Sequence, residues 1–239
     1  MKYSKLEILL GALRRPDLVI RFLAGKMPSE FDLPDVARLI HSSRPVIVEA
    51  GAFDGRDTRS FAERWPDGMV YAFEPLPILA LRVRENTSHL ANVVLIEAAL
   101  GVNEQRFVDL HTFDGDEVHA SSSILKPGSH LELAPEIKFE RTLRVPAVTL
   151  DEWYETAGSP TIDLLWLDLQ GVELEVLRRG LKALSRTKVI HIEVSRKPLY
   201  EGGAKYSSVK SFLNENGFKL KSVRMPVRSG NAIFVRVDS

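Results

Sequence analysis

Acidic residues and glycines stand directly after short apolar runs in this chain, and they are the residues best placed to do chemistry. The run at residues 46–48 leads into Glu49 and Gly51, with Gly55 four residues further on. Glycines behind a strand let the backbone approach a ligand closely, and the following helix points unpaired N–H groups at it. The spacing acid-x-Gly-x-x-x-Gly differs from the Gly-x-Gly-x-x-Gly of dinucleotide-binding turns. It favours S-adenosylmethionine (SAM) over NAD, and the glycine pair also fits an ordinary tight turn.

A second acid, Glu74, ends the next apolar run, at residues 69–73. It lies one strand–helix–strand unit after the glycines, where an acid in a doubly wound sheet accepts hydrogen bonds from both hydroxyls of an adenosine ribose. Pro75 then ends the strand and allows a helix to begin. Glu74 therefore favours the cofactor loop over the plain turn.

Two further acids close apolar runs nearer the C-terminus. Asp168 follows the run 162–167 and lies next to the expected topological switch point, where open α/β sheets bind ligands. Its other interpretation is a cap for the helix that begins near Gly171. Glu193 ends the neighbouring strand in the same way, and a carboxylate that only holds a loop is its alternative.

These segments resemble the FkbM-type family of SAM-dependent methyltransferases over roughly residues 45–237. The resemblance rests on the glycine turn, on the stretch Ile162–Leu177, and on Ile192–Ser195 followed by Pro198–Gly202. The family commonly has Lys and Glu where this chain has Trp166 and Gln170. An amide is neither a base nor a strong metal ligand, so Gln170 fills no role that requires a carboxylate.

The resemblance implies SAM-dependent O-methylation of a hydroxyl on a sugar, glycan or secondary metabolite. In this interpretation Glu74 holds the ribose, Glu49 orients the methionine end of SAM, and the segment from Glu97 borders the adenine. Asp168 orients donor or acceptor, with Glu193 or His191 as possible bases. The residues expected to contact SAM are Glu49, Gly51, Ala52, Asp54, Gly55, Thr58, Glu74, Pro75, Glu97, Ala98, Ser122, Asp168 and Gln170.

Two other classes of protein remain as alternatives. A nicotinamide-dependent oxidoreductase would use the same crevice, but the glycine spacing and an expected C-terminal hairpin speak against it. A catalytically silent SAM- or glycan-binding module is harder to dismiss, because Trp166 and Gln170 depart from the family pattern. Methyl transfer to any acceptor would eliminate that alternative.

Length and composition limit the number of domains, the classes of partner and the cellular location that we expect. The 239 residues suit one α/β domain with a short appendage, and 32 basic against 32 acidic residues give no sign of nucleic-acid binding. The absence of cysteine excludes disulfides and thiolate chemistry and is compatible with the cytoplasm, where we expect the protein. No apolar run reaches the length of a membrane span, and we expect neither signal peptide nor anchor. The partner expected is a small-molecule or glycan acceptor, and a second copy of the chain is an additional candidate.

The fold expected is a Rossmann-like α/β sheet, mostly parallel, with a C-terminal antiparallel hairpin. A helical extension occupies residues 1–44 and the methyltransferase domain residues 45–239. Strands are predicted near 46–50, 69–74, 93–97, 162–168 and 188–194, and helices near 57–65, 76–88, 172–183 and 205–216. The hairpin joins Phe218–Val227 to Ala232–Val237, with its turn at Ser229–Asn231.

Residues 101–150 interrupt the alternation of strands and helices. Two added strands, Arg106–His111 and Arg141–Val148, flank a polar loop that we interpret as a lid over the acceptor. The loop contains His119 and His130 with several acids, but their spacing matches neither a paired helical His motif nor a calcium loop. We therefore predict a solvated loop and no metal site.

Overall fold

The computed structural model describes residues 32–112, 122–126, 141–198, 200–225 and 229–237 of the chain. Its strands are β1 (Val46–Ala50), β2 (Met69–Phe73), β3 (Val93–Ile96), β4 (Ala99–Leu100), β5 (Phe107–Thr112), β6 (Arg141–Val148), β7 (Ile162–Leu167), β8 (Thr187–Ser195), β9 (Phe218–Arg224) and β10 (Ser229–Arg236). Its helices are α1 (Leu33–Ala37), α2 (Arg56–Arg64), α3 (Pro77–Thr87), α4 (Leu150–Thr156), α5 (Glu173–Arg178), α6 (Leu181–Ser185) and α7 (Tyr206–Glu215).

Seven strands form the main sheet in the order β3-β2-β1-β7-β8-β10-β9. β1 pairs in parallel with both β2 and β7, so the chain winds outward on one side of β1 and resumes on the other. The carboxyl ends of β1 and β7 therefore flank the topological switch point, where open sheets bind their ligands. β7 reads Ile-Asp-Leu-Leu-Trp-Leu and is buried along its whole length, as a parallel strand covered on both faces requires.

The C-terminal strands confirm the predicted hairpin but correct its turn. β10 pairs antiparallel with both β8 and β9. The residues predicted as the turn, Ser229–Asn231, lie inside β10, where Gly230 pairs with Val194. A Cβ on Gly230 would lie 1.9 Å from the carbonyl oxygen of Arg224, so this glycine serves a close approach between two strands.

The helix predicted near 172–183 is two short helices, α5 and α6, with a break at Gly180. A Cβ on Gly180 would lie 2.5 Å from Leu150 Cδ2, so the chain turns there to pack closely on α4. The last helix ends as predicted, because Gly217 has a φ of +83° directly after its C-terminus.

Apolar layers cover both faces of the sheet. α4 to α7 cover one face, with Leu177 and Leu213 fully buried, while α1 and α2 cover the other through Val36 and Phe61. The two added strands pair with each other, and β6 also pairs with β4 in a separate small sheet. Most of the predicted lid, and the predicted extension up to residue 31, lie outside the described residues. No helix in the described ranges has the length and apolar character needed to cross a membrane.

Asp32 joins α1 to three strands of the sheet. Its buried carboxylate contacts His191 Nε2 at 3.1 Å, and it accepts hydrogen bonds from Arg224 at 2.9 Å and Asn231 at 2.7 Å. Burial acts to raise the pKa of Asp32, but the bonds from His191 and Asn231 and the charge of Arg224 together lower it below 3.8. Although the sequence placed residue 32 in an extension, this carboxylate is part of the packed sheet face.

We predict that Asp32→Ala lowers the free energy of unfolding by roughly 3–5 kcal/mol, because it leaves buried partners without their charge. Urea unfolding followed by circular dichroism measures the change. The matched control is Asp35→Ala, which removes a more exposed acid that pairs with Arg38 and Arg224. The control should cost about 1 kcal/mol or less, and an equal loss in both variants would contradict the role given to Asp32.

Candidate active site at the carboxyl ends of the central strands

The carboxyl ends of β1 and β7 touch through Gly51. This residue has a φ of +90°, and a Cβ on it would lie 2.3 Å from the backbone carbonyl oxygen of Asp168. The Asp168 amide in turn donates to the carbonyl oxygen of Ala50 at 3.0 Å. Gly51 is therefore required both by its backbone conformation and by the neighbouring strand.

The loop after β1 is closed by contacts with the next two helices. Gly55 precedes α2 with a φ of +80°, and a Cβ on it would lie 2.9 Å from Val83 Cα of α3. Ala52 is buried against Val83, and Asp54 forms an ion pair with Arg56 at 3.0 Å. The small residues of the predicted cofactor loop thus pack against protein as well as shaping the crevice.

Glu74 ties the loops after β1 and β2 together. Its Oε2 accepts from the Phe53 amide and its Oε1 from the Leu76 amide, each at 2.9 Å. Phe53 has a φ of 55°, a strained value for an aromatic residue, so the bond to Glu74 helps to hold it. Burial raises the pKa of Glu74 to about 7, against the lowering effect of the two amides.

Glu49 lies beneath this loop with an exposed fraction of 1%. Its Oε2 accepts from the Thr58 hydroxyl at 2.5 Å. Burial, with repulsion from Asp57, Glu74 and Asp54, raises its pKa well above the usual value, and the Thr58 bond opposes this. Glu49 and Thr58, both predicted to contact SAM, are therefore brought together as a buried polar contact behind the glycine turn.

Gln170 links the two acids that end β7 and β8. Its Nε2 donates to Asp168 Oδ1 and, at 3.1 Å, to Glu193 Oε2. Its Oε1 accepts from the hydroxyl of Tyr200 at 3.0 Å. The backbone of Gln170 has a φ of 58°, which turns the side chain back over the strand ends. The structure thus brings Asp168, Gln170 and Glu193 into one hydrogen-bonded group.

The carboxylate of Glu173, the first residue of α5, holds the loop that leads from β7 into this helix. Its carboxylate accepts from the amides of Leu169 at 2.9 Å and Gly171 at 3.0 Å. Burial raises its pKa to about 7, and repulsion from Asp168 adds to this, while the backbone bonds lower it. Sequence reasoning missed Glu173, although an acid in the first turn of a helix is a recognisable N-terminal signal.

His191, predicted as a possible base, lies outside this hydrogen-bonded group. Its ring stacks on Trp166 with centroids 3.5 Å apart, and its Nε2 faces Asp32. The residue is 2% exposed. Because the side chain is enclosed between the sheet and α1, it has no surface to offer an acceptor.

The remaining predicted residues lie at the edges of the site. Glu97 is exposed and pairs with Arg84, next to the buried Ala98, while Pro75 is half-buried between Glu74 and α3. Ser122 donates to the Thr112 hydroxyl at 3.2 Å, and the neighbouring Ser123 donates to the backbone carbonyl of Gln170 at 2.8 Å. The sequence named Ser122, but Ser123 joins the inserted segment to the site.

A cleft opens beside the acids, with a volume of about 400 Å³ that includes open solvent. Its lining residues come from the ends of β8 and β10, from the loop between β7 and α5, from the start of α5, from the segment after β8 and from α7: Gln170, Gly171, Glu173, Glu193, Val194, Ser195, Pro198, Tyr200, Gly203, Ala204, Val209 and Ser229. The polar groups that reach this cleft are hydroxyls, an amide and carboxylates, a set suited to hydrogen bonding with a hydroxyl-bearing molecule.

The sheet order, with acids gathered at its switch point, defines an α/β fold that binds a ligand at that point, and comparison with known proteins gives the family. Residues 49–220 match the family described as the methyltransferase FkbM domain. The chain is 36% identical over 171 residues to 2-O-methyltransferase NoeI of Sinorhizobium fredii (strain NBRC 101917 / NGR234). The aligned region covers 70% of each chain. The chain therefore belongs to the FkbM methyltransferase family, and the predicted family and enzyme class are confirmed.

Solved structures agree on the fold. The chain is similar to M. capricolum TrmK in complex with the cofactor product S-adenosyl-homocysteine, with a TM-score of 0.51 and 10% identity. The match covers 87% of this chain and 69% of that one. At this identity the likeness shows the shared α/β fold.

The raised pKa values predict how stability depends on pH. Glu173 and Glu74 each have a pKa of about 7, against an ordinary value of 4.5, so the folded state binds more protons than the unfolded state between these values. The free energy of unfolding should therefore fall as pH rises from about 5 to 8, by roughly 3 kcal/mol at most for each residue.

Glu173→Gln removes one of these protonation sites, so we expect its stability deficit relative to the parent to shrink as pH rises over that range. Urea unfolding at each pH measures the difference between the two proteins. Glu175→Gln, on the exposed side of the same helix, is the control and should show a constant difference. A deficit for Glu173→Gln that does not vary with pH would contradict the assignment.

Proposed function

We propose that the protein transfers a methyl group from SAM to a hydroxyl oxygen on a sugar, glycan or secondary metabolite. The observation that carries the proposal is the FkbM family match across the strand ends where the glycine turn, Glu74 and Asp168 lie. The relative from Sinorhizobium fredii is described as a 2-O-methyltransferase, which supports oxygen as the accepting atom.

The residues at the end of β2 suit SAM. Glu74 is an acceptor-only group when ionised, and each of its oxygens keeps lone-pair capacity beyond the single backbone bond that it accepts. Two ribose hydroxyls are donors of the matching kind. We assign the ribose to Glu74, the methionine end to the turn at Gly51 and Gly55 behind which Glu49 lies, and the adenine border to Ala98.

The reaction needs alignment more than chemical activation. Bound SAM supplies a methyl group already activated by a positively charged sulfur. The chain must hold the acceptor oxygen in line with that group, so that the O–C bond forms as the S–C bond breaks. Asp168 and Glu193 accept the hydroxyl hydrogen bond, and one of them takes the proton that the acceptor loses.

The competing function is a silent binding module that keeps the fold. Gln170 supports it, because the amide offers no base where the family commonly has an acid. In this structure, however, the amide lies between two carboxylates, which still offer bases at the same strand ends. Cytoplasmic location, self-association and the absence of nucleic-acid partners remain predictions of the sequence.

We predict that Glu74→Gln weakens SAM binding on the order of 10- to 100-fold, because a charged acceptor of hydroxyl bonds is lost. Ribose hydroxyls favour the ionised carboxylate, so parent affinity should also strengthen as pH rises through about 7, with release of a proton. Glu74→Gln should lose that dependence. Titration calorimetry from pH 6 to 8, in buffers of different ionisation enthalpy, measures both effects.

The control for this test is Glu85→Gln, which changes an exposed acid on α3. It should bind SAM as the parent does. Equal SAM affinity in a folded Glu74→Gln variant would restrict Glu74 to holding the loops, and binding of NADH without SAM would overturn the cofactor assignment.

We predict that radiolabelled SAM transfers its methyl group to hydroxyl-bearing members of a glycan and metabolite array. Asp168→Asn should lower kcat on the order of 100-fold while changing the acceptor KM by less than about threefold, if its charge acts mainly in the transition state. Glu193→Gln is tested beside it, and Glu175→Gln, on the exposed side of α5, serves as a control. Full activity in both site variants would place the chemistry elsewhere, and no transfer to any acceptor would favour the silent module.

A further inference from the structure

We infer that Tyr200 is a positioning residue: it fixes the amide of Gln170 and, through it, the carboxylates of Asp168 and Glu193. The inference rests on the proposed function, because these two acids are the groups assigned to the acceptor. From the sequence alone, Tyr200 has no assigned role beyond its place in the family resemblance.

The two ends of the Gln170 amide are not equivalent. Nε2 carries two hydrogens and donates to Asp168 and to Glu193, whereas Oε1 can only accept. A reversed amide would point Oε1 at two carboxylates, which offer it no donor when ionised. The Tyr200 hydroxyl donates to Oε1 at 3.0 Å, and this bond opposes the reversal.

Tyr200 and Gln170 are each held in place by contacts with other residues. Tyr200 is 3% exposed, and a Cβ on Gly171 would lie 3.3 Å from its ring atom Cδ2. The next residue, Glu201, donates its amide to the carbonyl oxygen of Lys126 at 2.9 Å. The Gln170 carbonyl accepts from Ser123. The inserted segment at 122–126 therefore supports both the hydroxyl and the amide that it orients.

The negative charge at the ends of β7 and β8 explains why the orientation of the Gln170 amide matters. Asp168 and Glu193 meet at one amide nitrogen, with Glu173 on α5 as a further nearby acid and His191 turned toward Asp32. Like charges at close range repel. An amide that donates to both acids stabilises the pair without adding charge, and it fixes the direction in which the remaining lone pairs point.

A hydrogen-exchange measurement tests the amide directly. The chain has two glutamines, the exposed Gln105 and the buried Gln170, so labelling glutamine side chains with ¹⁵N gives two amide signals with an internal reference. Tyr200→Phe keeps the ring and removes the hydroxyl. We expect it to speed exchange of the Gln170 side-chain hydrogens at least tenfold and to leave Gln105 unchanged. Tyr206→Phe, which removes a hydroxyl at the start of α7, is the control and should change neither signal.

The kinetic test uses the acceptor found with radiolabelled SAM. Tyr200→Phe should lower kcat about tenfold while the KM for SAM stays within about threefold. In a Gln170→Leu background the same change should have little further effect, because its action passes through the amide. Multiplicative effects in the double variant, or unchanged Gln170 exchange in folded Tyr200→Phe, would overturn the inference. The exchange measurement needs no acceptor, so failure of the proposed function would not alter it.

Discussion

The approach of Gly51 to the backbone of Asp168 is the constraint on which the site depends. The two residues end the neighbouring strands β1 and β7, and a side chain at Gly51 would collide with the Asp168 carbonyl. Their contact brings the loop that carries Phe53 next to the loop that carries Gln170. Because the sheet winds in opposite directions from this point, the same contact opens the crevice in which the acids gather.

Five acids lie at or near the site. Burial raises the pKa of three of them, and a neutral amide donates hydrogen bonds to the other two. Glu49, Glu74 and Glu173 are nearly inaccessible, and each accepts hydrogen bonds that hold a loop or a helix start. Their raised pKa values record the cost of enclosing them. Asp168 and Glu193 are more exposed and share the amide of Gln170. This division separates acids that shape the crevice from acids that can meet an acceptor.

Helix α1 covers the sheet face on which Trp166 and His191 lie. Trp166, at a position where the family commonly has Lys, is 3% exposed and packs between Phe61 and His191. His191 in turn faces Asp32, the residue that anchors α1. The aromatic ring of Trp166 is therefore packed together with a buried histidine and a buried acid.

The sequence by itself determined the class of fold, the family and the positions along the chain where the strands end. It could do so because apolar runs, glycines and the acids that follow strands are local patterns. It predicted β1, β2, β7 and β8 and the hairpin, since burial on both faces leaves continuous apolar segments. Only the tertiary structure decided which side chains meet. The sequence of Ser229–Asn231 resembles a turn, yet Gly230 lies inside β10 and allows the close approach of β9. No local sequence pattern indicates that approach. His191 lies two residues before Glu193, but its ring contacts Asp32, which is 159 residues away in the sequence. Tyr200 donates a hydrogen bond to Gln170, which is 30 residues away. Such contacts depend on three-dimensional packing between distant segments, and a single sequence carries no periodicity that reports them.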